Sequence, residues 1–453
     1  MKYCKNCGGA LKTGSNFCPD CGMSLDTQAK VPAAAGRVQR WTWVIAVCMI
    51  LLLTAGGFTY YHFFIKDSEQ SEVAGGQEEN ADLEESSVEE ENTGDDEPVE
   101  EESNDELSPE VDPFLLVVPT NYASIQVAID AAAAGSVIEV LPGTYYENID
   151  FKGKEVILRS TDPHDSYIVS STIIHGGNKG STVTFQSGEQ NSSSLLGFTI
   201  TGGSGTYGEY SFIRKGEKYD YQRYYGGGIL VRDGSSPTIE RNVIQGNTVK
   251  ADSKKILGVG AGIAIINHSS PTVSNNTIRD NAVEGFGGGI IVWYGSSPTI
   301  TDNVIDSNSA SKSGGGAAVI IDSTPVISNN DITNNTSDES GGGMYLAFDS
   351  RAAVRHNNIS DNWAEYGGGA YIMELSLDNF TGNIISRNRS ERQGGGILIG
   401  KEAVLYLEDN TINDNHAGGT GGAIWIEKGS NFNTPQPDTN SYFNNTPDNS
   451  AYR

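Results

Sequence analysis

Cysteine is absent after residue 48; the five present are Cys4, Cys7, Cys18, Cys21 and Cys48. No disulfide framework can therefore hold together the rest of this 453-residue chain. Basic residues are scarce: 30 Lys and Arg stand against 58 Asp and Glu, a formal net charge of −28. Phosphate binding needs a basic surface, so the composition argues against nucleic acid as a partner. Residues 67–112 contain no Lys or Arg at all, but 21 Asp or Glu. With few large apolar groups and no periodicity, that stretch cannot bury enough surface to fold, and its like charges keep it extended. Helical periodicity is also missing from the second half of the chain, which excludes a helix-bearing repeat there.

What fills the second half is a different repeat. A Gly-Gly-Gly or close variant opens units at Gly226, Gly260, Gly287, Gly314, Gly341, Gly367, Gly394 and Gly421, in steps of 26 or 27 residues from Gly260 onward. Each unit carries Asn-x-Ile/Val-x-x-Asn, as in Asn276, Ile278 and Asn281, or Asn303, Ile305 and Asn308. After each glycine run the apolar residues alternate, as in Ile290 and Val292 or Met344 and Leu346. Period two means strands with one buried face. A unit of this size then reads as three short strands coiling once, with like residues stacked about 4.8 Å apart. Stacked asparagines can satisfy one another as a buried ladder. Parallel crossovers are right-handed, so the expected fold is all-β, a right-handed parallel β-helix. Residues 125–132 (Ile125, Ala128, Ile129, Ala132) have helical spacing and Gly135 as a stop, as a cap over the open end would.

The first 112 residues read as separate pieces. Cys4-x2-Cys7 and Cys18-x2-Cys21 supply two thiolate pairs, the set that tetrahedral Zn2+ requires. The segment 1–25 resembles the zinc-ribbon domains at the start of many bacterial membrane proteins, which implies a structural Zn2+ and a reducing compartment. Residues 26–40 are a basic linker. Residues 41–65 are uncharged and long enough to span a bilayer, with Trp41, Trp43, Tyr60 and Tyr61 near the ends. Lys30, Arg37 and Arg40 precede the run and acids follow it, so the positive-inside rule puts the N-terminus in the cytoplasm of a single-pass protein. Residues 66–112 form the acidic tether, and 113–448 the β-helix, outside the membrane. The cytoplasmic partner of the ribbon is not legible.

The stretch from Tyr122 to Ile149, with Gly143, Tyr145 and Glu147 in a Gly-x-Tyr-x-Glu turn, resembles the first coil of the pectin lyase-like superfamily. With the repeats, the resemblance covers about residues 114–445. It implies the β-helix fold; one fold hosts unrelated functions, so it says little about activity. The catalytic segments of pectin methylesterases and polygalacturonases are absent, and His164, His175, His268, His356 and His416 are scattered. The chain therefore reads as a binder of a polysaccharide, an anionic one by the argument that follows. The alternatives are a polysaccharide lyase or hydrolase, and a structural or protein-interaction scaffold.

Two insertions break the repeat, at 203–225 and 248–259, and both enter the same corner of neighbouring coils. They are expected to touch and form one lobe. That lobe gathers Arg214, Lys215, Lys218, Arg223, Lys250, Lys254 and Lys255 on an acidic chain, with Tyr210, Tyr221 and Tyr224 as flat faces. Guanidinium forks and tyrosines suit uronic acids or sulfated sugars. The plainer reading of the lobe is a packed flap. A second candidate is the outward stripe Trp293, Tyr345, Tyr371 and Trp425, whose plainer reading is cross-coil packing. Glu284, Asp338, Glu339, Glu365 and Glu391 collect at the insertion corner and could offer oxygens to Ca2+, although solvated carboxylates explain them as well.

Overall fold

The computed structural model describes residues 2–3, 10–11, 114–252 and 256–452. The chain divides into two compact units, Met1–Ser103 and Asn104–Arg453. In the first, strands Lys2–Tyr3 and Ala10–Leu11 pair antiparallel. The expected zinc ligands Cys4, Cys7, Cys18 and Cys21, the apolar run 41–65 and the acidic stretch 66–112 lie outside the described residues. Among the described residues no helix is long and apolar enough to cross a membrane.

The second unit is a coil of parallel strands stacked into sheets of twelve, eleven, eleven and seven. One turn of the coil shows the plan: Thr272–Ser274, Thr277–Arg279, Ala282–Val283 and Ile290–Trp293. The expectation of three strands per coil is therefore corrected to four. The additional strand, Ala282–Val283 in this turn and usually two residues long, was missed because two residues show no period. The stack runs to Ser450–Tyr452, which pairs with Ile424–Ile426, a little past the expected boundary at 448.

The core is built by repetition. Ile278, Ile305, Ile332, Ile359, Ile385 and Ile412 align coil on coil and are all buried. Each supplies the inward side chain of its second-sheet strand. On either side of that isoleucine stands a ladder of asparagines. Asn276 donates its backbone N–H (2.9 Å) and Nδ2 (3.0 Å) to Asn303 Oδ1, and Nδ2 also reaches Ile239 O at 2.9 Å. Asn308 repeats this with Asn335 Oδ1 and Ile278 O. The residue before almost every ladder position, such as Asn275 or Asp280 at φ 56, is left-handed. That conformation swings the next side chain inward at the corner, and short polar residues tolerate it best.

The triple glycine has two separate causes. Gly287 needs φ +71, while a Cβ on Gly288 would sit 2.4 Å from Gly315 O and one on Gly289 2.5 Å from Gly316 O. The first is a conformational requirement and the others are close approach of neighbouring coils. At the open end, helix Ile125–Ala131 buries Ile125, Ala128 and Ile129 over the core, as expected. The Glu147 carboxylate accepts from Ile125 N at 2.9 Å and Gln126 N at 3.0 Å, so the Gly-x-Tyr-x-Glu turn caps the helix N-terminus. A second helix, Ser166–Ser171, was not anticipated.

Candidate functional site

The first insertion is a β-hairpin of strands Thr206–Arg214 and Glu217–Tyr225. Its second strand continues in parallel onto the second insertion, with Arg223 opposite Leu257, Tyr224 opposite Gly258 and Tyr225 opposite Val259. The two insertions do touch. Lys254 and Lys255 lie outside the described residues.

A hairpin has two faces, and the expected ligand residues divide between them. Tyr210 stands opposite Tyr221 and Phe212 opposite Tyr219 on the inner face. Tyr207 opposite Tyr224, and Ile213 opposite Lys218, take the outer face. The inner face lies on the outward side of the eleven-stranded sheet that includes Ile290–Trp293, the third sheet. There Leu230, Ala264, Ile291, Ala318 and Tyr345 form an apolar row in register, joined by Ile266, Trp293 and Ile320. Together they make a second hydrophobic core outside the coil. Phe212 stacks on Tyr294 at 4.6 Å between centroids, Tyr225 on Trp293 at 5.5 Å, and Tyr221 meets Trp293 edge-on at 5.4 Å.

This corrects the picture of an open aromatic stripe. Trp293 and Tyr345 point out of the coil, as expected, but are buried. Tyr371 and Trp425, further along the same row, are half-buried. Burial pushes the Tyr345 and Tyr225 phenols up, and the Tyr371 phenol, beside Glu427 and Glu374, up to about 12. The Tyr225 hydroxyl and Trp293 Nε1 have no hydrogen-bond partner among the described residues.

The lobe's cations are mostly engaged. Arg214 donates to Asp349 Oδ2 at 2.6 Å and lies 5.4 Å over the Phe348 ring, and Lys215 Nζ is 4.0 Å from the same carboxylate. Lys218 pairs with Asp220 at 2.8 Å. The Arg223 guanidinium sits 5.0 Å over Tyr221 and donates to Gln222 O. Lys250 is exposed. Three of the corner acids are engaged in the same way: Glu365 pairs with Arg392 at 2.6 Å, Glu339 pairs with Lys312, and Glu284 accepts from Ala251 N. Among the described residues no group of three or more His, Cys, Asp or Glu is placed to hold a metal ion.

At the hairpin's root is an open cleft of about 630 Å³. Its lining includes Asn178, Ser204, Tyr224, Thr248, Lys250 and Asp252. Tyr224 and Lys250 were anticipated here. Asn178, Ser204 and Thr248 were not: Asn178 comes from an earlier part of the coil, and Ser204 and Thr248, though within the two insertions, carry no local signal that marks them. The cleft offers an aromatic wall, an amide, two hydroxyls, one exposed ammonium and the Asp252 carboxylate, a set suited to polyhydroxylated, weakly charged ligands.

The family model described as right handed beta helix region matches residues 159–310 and 288–449. No curated protein and no solved structure matches the chain.

Proposed function

The chain belongs to the right-handed β-helix family, and from that premise we propose that it is a membrane-anchored, extracytoplasmic member that binds an anionic polysaccharide. The observation that carries this reading is the cleft where Tyr224 and Lys250 face Asn178, Ser204 and Thr248. A tyrosine ring can stack on the C–H face of a sugar, hydroxyls and an amide can match ring hydroxyls, and the ammonium suits a carboxylate or sulfate. Lys254 and Lys255 follow Lys250 closely in sequence. The test is a glycan array of uronate-rich, sulfated and neutral polysaccharides, probed with the full-length protein. Tyr224→Ala should weaken binding at every salt concentration, whereas Lys250→Ala should weaken it and flatten its salt dependence. Parental binding by both variants would remove the cleft as the site.

The anchor is the run 41–65. The spacing of the N-terminal cysteines, two Cys-x2-Cys pairs, supports a structural zinc. Cys4, Cys7, Cys18 and Cys21 would hold the ion, and four thiolates leave no open position for chemistry. A scaffold reading is favoured by one feature, the hairpin packed and latched through Arg214 and Asp349 over the third sheet. Failure of every glycan to bind would leave that reading.

A further inference from the structure

The hairpin's first strand, Thr206–Arg214, is nine residues long and ends its sheet. Among the described residues its backbone pairs only with Glu217–Tyr225. Alternate residues of an antiparallel strand turn both N–H and C=O away from the partner, so this edge presents a row of unpaired groups about 30 Å long. Natural edges are blunted by lysine, proline, a bulge or shortness. Residues 206–213 contain no lysine and no proline, the register with the second strand is unbroken, and the Arg214 side chain is held by Asp349.

We infer that this edge is an interface for a second copy of the same chain, joined antiparallel about a two-fold axis at Tyr210. The residue pattern carries the choice of partner. An isologous antiparallel pairing centred on Tyr210 sets Tyr207 opposite Ile213 of the second copy, Glu209 opposite Ser211, Gly208 opposite Phe212 and Thr206 opposite Arg214. Tyr207 is 43% and Ile213 72% exposed, both on the outer face, and Ile213 is the most exposed apolar residue of the hairpin. The two-fold brings these two together twice. No like charges stand directly opposite: the acid Glu209 faces a serine and Arg214 faces a threonine, and the two Glu209 carboxylates, diagonal across the axis, are at the exposed face. Shifting the pairing by one residue would break both matches, because it puts outer-face residues opposite inner-face ones. The joined hairpins form a continuous sheet, extended on each side by Leu257–Val259 and Gly285–Phe286.

The experiment uses the full chain in detergent micelles. Light scattering should give a protein mass twice 48.3 kDa. Ile213→Lys, which touches neither the inner face nor the cleft, should halve that mass and leave the melting temperature unchanged. The register is read by mild oxidation of a mixture of Glu209→Cys and Ser211→Cys chains. Antiparallel partners lie close enough for a disulfide, so the mixture should cross-link in higher yield than either variant alone or the parent. The cross-link decides the proposal. Its absence, or a parent mass of one chain, overturns it, including the case where a dimer forms but survives Ile213→Lys through some other contact.

Discussion

Replacing Asn308 by leucine probes the ladder at mid-stack. Asn308 is fully buried, and its side chain and backbone N–H take part in five hydrogen bonds. Its backbone bond to Asn335 survives the substitution and the other four do not. The Asn281 N–H, at 3.1 Å from Asn308 Oδ1, loses its only acceptor, and an orphaned buried donor costs about 1–3 kcal/mol. The other three lost bonds leave partners that keep another contact, so each is worth about 0.5–1.5 kcal/mol. The expected loss is about 2.5–7.5 kcal/mol, seen as a lower urea midpoint for the β-helix by circular dichroism. Asp306→Ala, two residues away, is the control. Asp306 accepts from Thr333 and Asn334 at 2.7 Å each, and these hydrogen bonds offset the burial that would raise its pKa, leaving it lowered. Its partners are at the surface and rehydrate, so the cost should be about 1 kcal/mol. Equal losses at 306 and 308 would refute the argument that the ladder's stability lies in satisfying buried polar groups.

Asp378 is fully buried, and burial pushes its carboxyl up to about 8 despite the Ala352 N–H at 2.6 Å and the Ser350 hydroxyl. A folded-state pKa above the unfolded value makes the fold lose stability as pH rises, here between about 4 and 8. Asp378→Asn should abolish that slope and gain stability over the parent, by up to about 4 kcal/mol at pH 7, in urea titrations from pH 4 to 8; a constant difference across that range would contradict the assignment. Tyr225→Phe removes a buried hydroxyl that has no partner among the described residues, so the melting temperature should stay level or rise. A fall equivalent to more than about 1 kcal/mol would mean that the hydroxyl is bonded.

Stretches such as Gly287-Gly288-Gly289 or Asn303-x-Ile305-x-x-Asn308 disclosed the coil because every unit solves the same local problem. A left-handed corner, a close approach of backbones and a buried amide recur at fixed spacing, so the repeat itself reports the contact between neighbours. The cap was legible for a related reason, since Ile125, Ala128 and Ile129 have helical spacing. The hairpin was only half legible. Residues 206–225 alternate, but aromatics stand on both faces: Tyr207 and Tyr224 on one, Tyr210, Phe212, Tyr219 and Tyr221 on the other. Nothing local says which set meets the body. That choice depends on a row assembled from Leu230, Ala264, Ile291, Ala318 and Tyr345, five residues from five coils. The same is true of the cleft, where Asn178 and Thr248 meet only after the coils stack. By itself the sequence determined the coil, its ladders and its cap, because their contacts repeat at one period along the chain. The tertiary structure alone decided which tyrosines are buried, which cations are paired and where a cleft opens, because those contacts join segments that share no period.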